Sequence, residues 1–444
     1  RRIANTELTP ELVYKVAKAG AYVLSKHTDH TPTILIGRDT RISGTLIESA
    51  MTAGFLSYGA NVKLLGVIPT PAVAYLTRKL NADASVVISA SHNTFEFNGI
   101  KFFSNKGMKI PDTLEEEIEE VMESGKLDEL TAKNEKIGTS EYRLDLIDEY
   151  VYFFRKNFDD SIDKYMNDNF VVGIDTANGA TYQVAEKVFK ALGIKYKIIN
   201  NSPDGININQ NCGSTHLGNL KKFVVENKLN LGIAYDGDGD RCLAVDENGN
   251  EIDGDKLLAI ISTNLRKKGK LNKDTIVATV MSNLGLNKFT RDNGLELLQT
   301  KVGDRYVLEE MLKDGFNLGG EQSGHVILLD YNPTGDGILT SLMLIQTILE
   351  EGKKASELAD MVKLYPQILI NAKVNSDKKY EYKEDKEINE AIDKLEKEFA
   401  GNGRVLIRPS GTEPLVRVMI EGEEQEYITK KAQEIADLIE NKLK

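Results

Sequence analysis

At 444 residues the chain exceeds what one hydrophobic core normally supports, so three or four domains of about 100–150 residues are expected, with room for a ligand between them. Hydrophobic residues make up 41% and charged residues 28%, and no apolar run approaches the roughly 18 residues a membrane span needs. The net charge of −12 argues against a nucleic-acid partner, and an anionic ligand would need basic residues concentrated at its site. The polar stretch Arg1–Glu11 lacks an apolar signal core, and Cys212 and Cys242 cannot build a disulfide framework, so a reducing cytoplasm fits best.

The predicted elements begin with α/β alternation: a helix near Glu11–Ser25, a strand at Thr33–Ile36, a helix near Thr45–Tyr58, and strands at Asn61–Leu65 and Ala84–Ile88. A second cycle holds strands Phe170–Ile174, Tyr196–Ile199 and Leu231–Ala234, with a helix near Tyr182–Leu192. A third holds strands Thr275–Val280, Leu295–Gln299 and Phe316–Gly319, then an apolar helix at Asp336–Leu349. Three α/β units in a row suggest a repeated domain, although no residue-level repeat is visible. The last stretch differs: strand Ile368–Val374, helix Lys386–Phe399, strands Arg404–Arg408 and Leu415–Ile420, and a final helix with Ile428, Ala432, Ile435 and Ile439 on one face. Connections near Asn157–Asp168, Gly254–Lys256 and Lys363–Pro366 divide the chain into α/β domains over 1–157, 158–254 and 255–366 and an α+β domain over 367–444.

Four loops can carry chemistry. Ser89-Ala-Ser-His-Asn93 follows a buried-looking strand, where open α/β sheets place ligands, and Ser91 is well placed to react there. A plain Ser-His-Asn turn is the alternative. Adjacent side chains diverge on an extended chain, so His92 is not assigned as a base from adjacency alone. Lys101, in Asn98-Gly-Ile-Lys101, can bring a cation back towards Ser91.

Asp236-Gly-Asp-Gly-Asp240 is the strongest signal, because alternating carboxylates and glycines let three oxygens converge on one hard cation. An EF-hand loop fails at its sixth position, where glycine is required and Arg241 stands. A phosphatase using Asp236 as a phosphorylated nucleophile is a rival reading. Magnesium is the expected metal, since few protein ligands and an open position suit it. In Gly319-Gly-Glu-Gln-Ser-Gly-His325, Glu321 and Ser323 can hydrogen-bond sugar hydroxyls, and His325 can shuttle a proton. In Arg408-Pro-Ser-Gly-Thr-Glu-Pro414 with Arg417, Ser410, Gly411 and Thr412 supply hydroxyls and backbone N–H groups while the arginines pair with phosphate oxygens. Gly37-Arg-Asp-Thr-Arg-Ile-Ser43 and Lys301-Val-Gly-Asp-Arg-Tyr306 put further arginines on strand-to-helix loops. A nucleophile, a divalent metal, a sugar loop and a phosphate cradle together imply phosphoryl exchange on a phosphosugar.

The order and spacing of these loops over nearly the whole chain resemble the α-D-phosphohexomutases. The wording Ile88-Ser-Ala-Ser-His-Asn93, Pro203-Asp-Gly with Asn211-Cys-Gly-Ser-Thr-His216, Val302-Gly-Asp-Arg-Tyr306 and Gly320-Glu-Gln-Ser-Gly-His325 resembles the family's amino-sugar branch rather than its glucose- or mannose-phosphate branch. The resemblance implies four domains around a central cleft, three sharing one α/β topology with mixed sheets. It implies interconversion of glucosamine 6-phosphate and glucosamine 1-phosphate, on the route to UDP-N-acetylglucosamine, through phosphorylated Ser91 and a 1,6-bisphosphate.

By the same resemblance, Ser91, Asp236, Asp238 and Asp240 hold one Mg²⁺ per chain, Glu321 and Ser323 bind sugar hydroxyls, and Arg408, Ser410, Gly411, Thr412 and Arg417 bind the non-reacting phosphate. Lys101, His325, Arg38 and His92 border the transfer site, with Arg241 among its cations. The resemblance also implies glucosamine or glucose 1,6-bisphosphate as primer, an activating kinase and a homodimer. A glucose or mannose phosphate substrate is the nearest alternative, and a sugar-phosphate-binding protein with a decayed site is a non-catalytic one. Two departures stand out. The chain opens at Arg1-Arg2-Ile3 where the family has a Gly-Thr-Asp-Gly-x-Arg-Gly loop; Arg1 matches that arginine and Arg2 a glycine, so this part of the site is either truncated or altered. Thr94 stands where proline is usual, which predicts a less rigid hold on Ser91.

Overall fold

Ala84–Ile88 and Leu231–Tyr235 are buried along their whole length, so their sequences do not alternate, as befits strands covered on both faces. They are the third strands of two similar sheets. The computed structural model describes residues 2–167, 169–410 and 413–444. One unit runs to Met281 and adds Glu296–Met361; the other comprises Ser282–Leu295 and Val362–Lys444.

The larger unit holds three mixed sheets that share one strand order. In the first, the order is Ile100–Ser104, Ala84–Ile88, Thr33–Arg38, Asn61–Val67, Ser140–Tyr142, with only the Ala84–Ile88 to Ile100–Ser104 pairing antiparallel. In the second it is Glu251–Ile252, Cys242–Asp246, Leu231–Tyr235, Val171–Asp175, Lys195–Ile199. In the third it is Val326–Leu328, Leu318–Gly320, Thr275–Thr279, Glu296–Thr300. Each time, three successive parallel strands lie in the order second, first, third, and a fourth returns antiparallel beside the third. The expected fold repeat is therefore present in topology.

Two connections differ from expectation. The stretch from Asn157 is helical as far as Asp163, within the helix Ile147–Asp163, because Tyr150, Phe154, Phe158 and Ile162 form a buried stripe at four-residue spacing. Gly254–Lys256 is the first turn of the helix Gly254–Lys267, whose N-terminus is capped by the Asp253 side chain accepting from the Lys256 N–H. The helix Gly337–Glu351 is buried on every side as far as Leu349, matching its unbroken apolar sequence. No helix among the described residues is long and apolar enough to cross a membrane.

The smaller unit has a three-stranded antiparallel sheet, Gln367–Lys373, Leu415–Glu421 and Arg404–Pro409, with Leu415–Glu421 in the middle. Its core takes residues from helices Lys386–Phe399 and Gln425–Leu443, and Ile428, Ala432, Ile435 and Ile439 are buried as their spacing predicts. Glu421, fully buried, pairs with Arg404 and accepts from the Leu284 N–H at 3.2 Å, which ties the helix Leu284–Asp292 to this sheet.

Candidate active site

The repeated topology puts three of the four chemistry-bearing loops in one position, the connection from the third strand to the antiparallel fourth. Ser91 follows Ala84–Ile88, Asp236–Asp240 follow Leu231–Tyr235, and Glu321–His325 follow Leu318–Gly320. All three belong to the larger unit.

Ser91 is 1% exposed and adopts a left-handed backbone, φ 54°. For a non-glycine residue that costs on the order of 1–3 kcal/mol, so its surroundings must impose it. The Ser89 hydroxyl accepts from the Ser91 N–H at 2.9 Å, and the Ser91 carbonyl accepts from Asn209 Nδ2 at 2.8 Å and Arg41 Nη2 at 3.2 Å. Hydrogen bonds thus anchor this loop where the family's proline is replaced by Thr94. The Ser91 hydroxyl donates to Asp236 Oδ2 at 2.7 Å. His92 Nδ1 lies 3.4 Å from Ser91 Oγ and 3.2 Å from Arg241 Nη1. The expected divergence of the two side chains fails because the loop turns sharply at Ser91 and is not extended.

Asp236, Asp238 and Asp240 are all buried, and one oxygen of each lies within 4.8 Å of the others. Asp238 Oδ1 and Asp240 Oδ1 have no hydrogen-bond partner among the described residues. Burial and then the charges of Asp240 and Asp238 push the Asp236 carboxyl well above the usual carboxylate range. At Asp238 burial also raises the pKa, but the charge and hydrogen bond of Lys101 and the Thr70 hydroxyl bring it below the usual value. At Asp240 burial is outweighed by Lys101, His325 and Arg241, which hold it well below. Three hard oxygen donors, two with buried unsatisfied lone pairs, fit a divalent cation.

The basic groups come from equivalent places. Lys101 lies on the fourth strand of the first sheet, Arg241 directly precedes that of the second, and His325 directly precedes that of the third. Lys101 Nζ is 2.6 Å from Asp238 Oδ2 and 3.5 Å from Asp240 Oδ2; burial lowers its pKa, but these carboxylates raise it further. Lys101 is therefore held charged. His325 Nδ1 is 3.7 Å from Asp240 Oδ2, while Nε2 accepts from the Gly335 N–H at 3.1 Å. Nε2 also lies 3.7 Å from Asp304 Oδ2, and although burial lowers the His325 pKa, its bond to Asp240 and the charges of Asp240 and Asp304 raise it above the usual histidine value.

Glu321 Oε1 accepts from the Gly303 N–H at 3.2 Å, which joins the Gly320–His325 and Val302–Tyr306 loops. Ser323 Oγ is buried without a partner among the described residues. Arg38 pairs with Glu48 at 3.4 Å; the arginine that reaches the serine loop is Arg41, three residues on, fully buried and paired with Asp39. Arg41, Asn209 and Thr70, whose hydroxyl donates to Asp238, escape a reading of the sequence because their partners are distant in the chain. The doubled arginine of Arg38-Asp-Thr-Arg41 was the available hint.

In the smaller unit, Arg408 and Arg417 are directly opposed across antiparallel strands. Burial, and then the charge of Arg417, lower the Arg408 pKa. Like charges placed so repel, and Glu413 Oε2, 3.6 Å from Arg417 Nη2, is the carboxylate beside them. Ser410 is buried, and its hydroxyl accepts from the Glu413 N–H at 3.2 Å. Gly411 and Thr412, expected in this cradle, and Arg1 lie outside the described residues.

Models of the phosphoglucomutase/phosphomannomutase α/β/α domains I, II and III match residues 1–129, 148–249 and 253–365, and that of the C-terminal domain matches 369–438. The chain belongs to the phosphoglucomutase/phosphomannomutase family, whose three α/β domains and C-terminal domain are the fold expected above, and it is an isomerase of the mutase class. Within that class it is 53% identical over 443 residues to the phosphoglucosamine mutase of Ruminiclostridium cellulolyticum, covering 100% of this chain and 98% of the relative. It is 55% identical over 448 residues to the phosphoglucosamine mutase of Clostridium kluyveri, with coverage of 100% and 98%. A putative phosphomannomutase from Thermus thermophilus, 22% identical, shares the fold with a TM-score of 0.79 over 99% of this chain and 97% of that one.

Proposed function

We propose that the chain interconverts glucosamine 6-phosphate and glucosamine 1-phosphate through a phosphorylated Ser91. The Ser91 hydroxyl bonded to a buried carboxylate cluster, Oγ to Asp236 Oδ2 at 2.7 Å, is the observation that carries this reading. The full-length likeness to two phosphoglucosamine mutases supports the choice of sugar. The four matched domain segments, 1–129, 148–249, 253–365 and 369–438, carry the serine, metal, sugar and phosphate loops in turn.

In the forward direction the P–Oγ bond of phosphoserine 91 breaks as a bond forms from phosphorus to the anomeric oxygen of glucosamine 6-phosphate, giving the 1,6-bisphosphate. After the sugar turns end for end, the 6-phosphoryl group returns to Ser91 and glucosamine 1-phosphate leaves. Asp236, Asp238 and Asp240 would hold Mg²⁺ beside Ser91, where the ion would supply positive charge to the transferring group. Lys101 and Arg241 add fixed positive charge, with Arg38 and His92 at the border of the site. Glu321 and Ser323 bind sugar hydroxyls, and Arg408, Ser410, Gly411, Thr412 and Arg417 hold the non-reacting phosphate.

Lys101 is held charged by Asp238, so we assign the proton of the attacking hydroxyl to His325 Nε2, which exchanges its bond from Gly335 for it. Replacing His325 by asparagine, which can still donate to Asp240, should lower kcat about 10²-fold or more with little change in KM. Undiminished kcat in that variant would remove His325 from proton transfer.

The deciding experiment combines phosphopeptide mapping of active protein with a coupled assay on the 6-phosphates of glucosamine, glucose and mannose. Acid-stable phosphate on Ser91 and a preference for glucosamine 6-phosphate are expected. Phosphate that hydroxylamine releases would favour the phosphatase, a glucose or mannose preference the sister branch, and turnover of none the binding protein. A cytoplasmic setting, a glucose or glucosamine 1,6-bisphosphate primer, an activating kinase and a homodimer accompany this reading as parts of the proposal.

A further inference from the structure

Each half of the phosphoryl-transfer centre is held by the domain that carries the other half. Asn209 comes from the second α/β domain, yet its side-chain amide donates to two carbonyls of the serine loop, Ser91 O and Asn93 O, both at 2.8 Å. Thr70 comes from the first, at the start of the helix Thr70–Lys79. Its hydroxyl donates to Asp238 Oδ2 at 2.5 Å and its N–H to the Asp238 carbonyl at 2.9 Å. Both residues are buried, so neither bond competes with bulk water.

The backbones meet at Gly237. A Cβ there would lie 2.5 Å from Ser91 O and 2.6 Å from Asn209 Nδ2, so only glycine lets the carboxylate loop approach the serine loop this closely. The Ser91 hydroxyl to Asp236 distance is thus determined by a crossed pair of contacts on either side of one glycine. We propose that Thr70 and Asn209 are positioning residues, each presenting its neighbour domain's reacting group, so that cation binding and serine phosphorylation share one geometry.

This rests on the cation and phosphoserine roles proposed above. Thr70→Val keeps the shape and the backbone N–H but leaves a buried Asp238 oxygen with one partner fewer. Loss of such an outer partner typically weakens metal binding or activity about 10- to 100-fold. The test measures Mn²⁺ affinity of the dephosphorylated protein, kcat, KM and melting temperature for wild type, T70V, T70S and N209D. T70V should weaken Mn²⁺ binding and lower kcat about tenfold or more, with a loss of melting temperature no larger than one buried hydrogen bond accounts for, and T70S should restore all three. N209D, isosteric but with a carboxylate facing two carbonyls, should lower kcat by a similar factor and leave KM for the sugar phosphate unchanged. T70V within about twofold of wild type in both readouts, or T70S as impaired as T70V, would overturn the inference whether or not N209D folds. A wild type that binds no Mn²⁺, or never carries phosphate on Ser91, would overturn the underlying reading instead.

Discussion

Replacing Ser91 by alanine should abolish turnover while leaving the fold and the three-carboxylate part of the cation site in place. The hydroxyl is the only group of Ser91 that the substitution removes, and its one close carboxylate contact is the 2.7 Å bond to Asp236. The carbonyl that anchors the loop, held by Asn209 and Arg41, is untouched, and alanine meets the same left-handed backbone that serine does. Loss of a nucleophile that forms the covalent intermediate removes the two-step route itself, so a fall in kcat of about 10⁴-fold or more is expected. Steady-state assays with saturating bisphosphate, a melting curve and a Mn²⁺ titration check it. Bisphosphate is the important control, because it primes any enzyme whose phosphate sits elsewhere. Activity above about a hundredth of wild type under those conditions would move the nucleophile off Ser91.

Much of the centre was legible as chemistry but not as geometry. Asp236-Gly-Asp-Gly-Asp240 announces itself because three carboxylates this close repel unless something neutralises them, which weighs against a plain acidic turn, and the structure gathers them within 4.8 Å. Ser91 was legible from its place after a buried strand. What could not be read is that the serine, carboxylate and sugar loops occupy one topological position, since the repeat is of strand order and not of residues. Nor could Arg41 be told from Arg38: which arginine turns inwards depends on the loop path, and Asp39, buried beside Arg41, decides it. The helix Ile147–Asp163 reads in part as a connection because Asn157, Asp159, Asp160 and Asp163 crowd its later turns, hiding the aromatic stripe beneath. Thr70 and Asn209 carry no local signal, as their function lies in contacts 168 and 118 residues away.

The carboxylate cluster should make the protein less stable without its cation than it is with a neutral residue in the cluster. Burial and the neighbouring charges of Asp240 and Asp238 raise the Asp236 carboxyl well above the usual range, so folding disfavours its ionised form near neutral pH. Asp236→Asn, equal in size, should therefore melt higher than wild type in chelator, by on the order of 1 kcal/mol or about 1 °C for 444 residues unfolding together. The sign of the pH dependence follows. A carboxyl with a raised folded pKa lends stability in acid and loses it as pH rises from about 4 through the folded value, so the metal-free wild type declines over that interval and D236N declines less. Magnesium should reverse the order: at about 100 times its dissociation constant it adds about 2.7 kcal/mol to the protein that binds it, and D236N gains little of this. D236N should also lose most of its activity. Calorimetry of both proteins, with chelator and with Mg²⁺, measures all of these differences. A variant that is less stable than wild type in chelator, and gains as much from Mg²⁺, would mean that Lys101, Arg241 and His325 already balance the three carboxylates and that the cation is bound elsewhere.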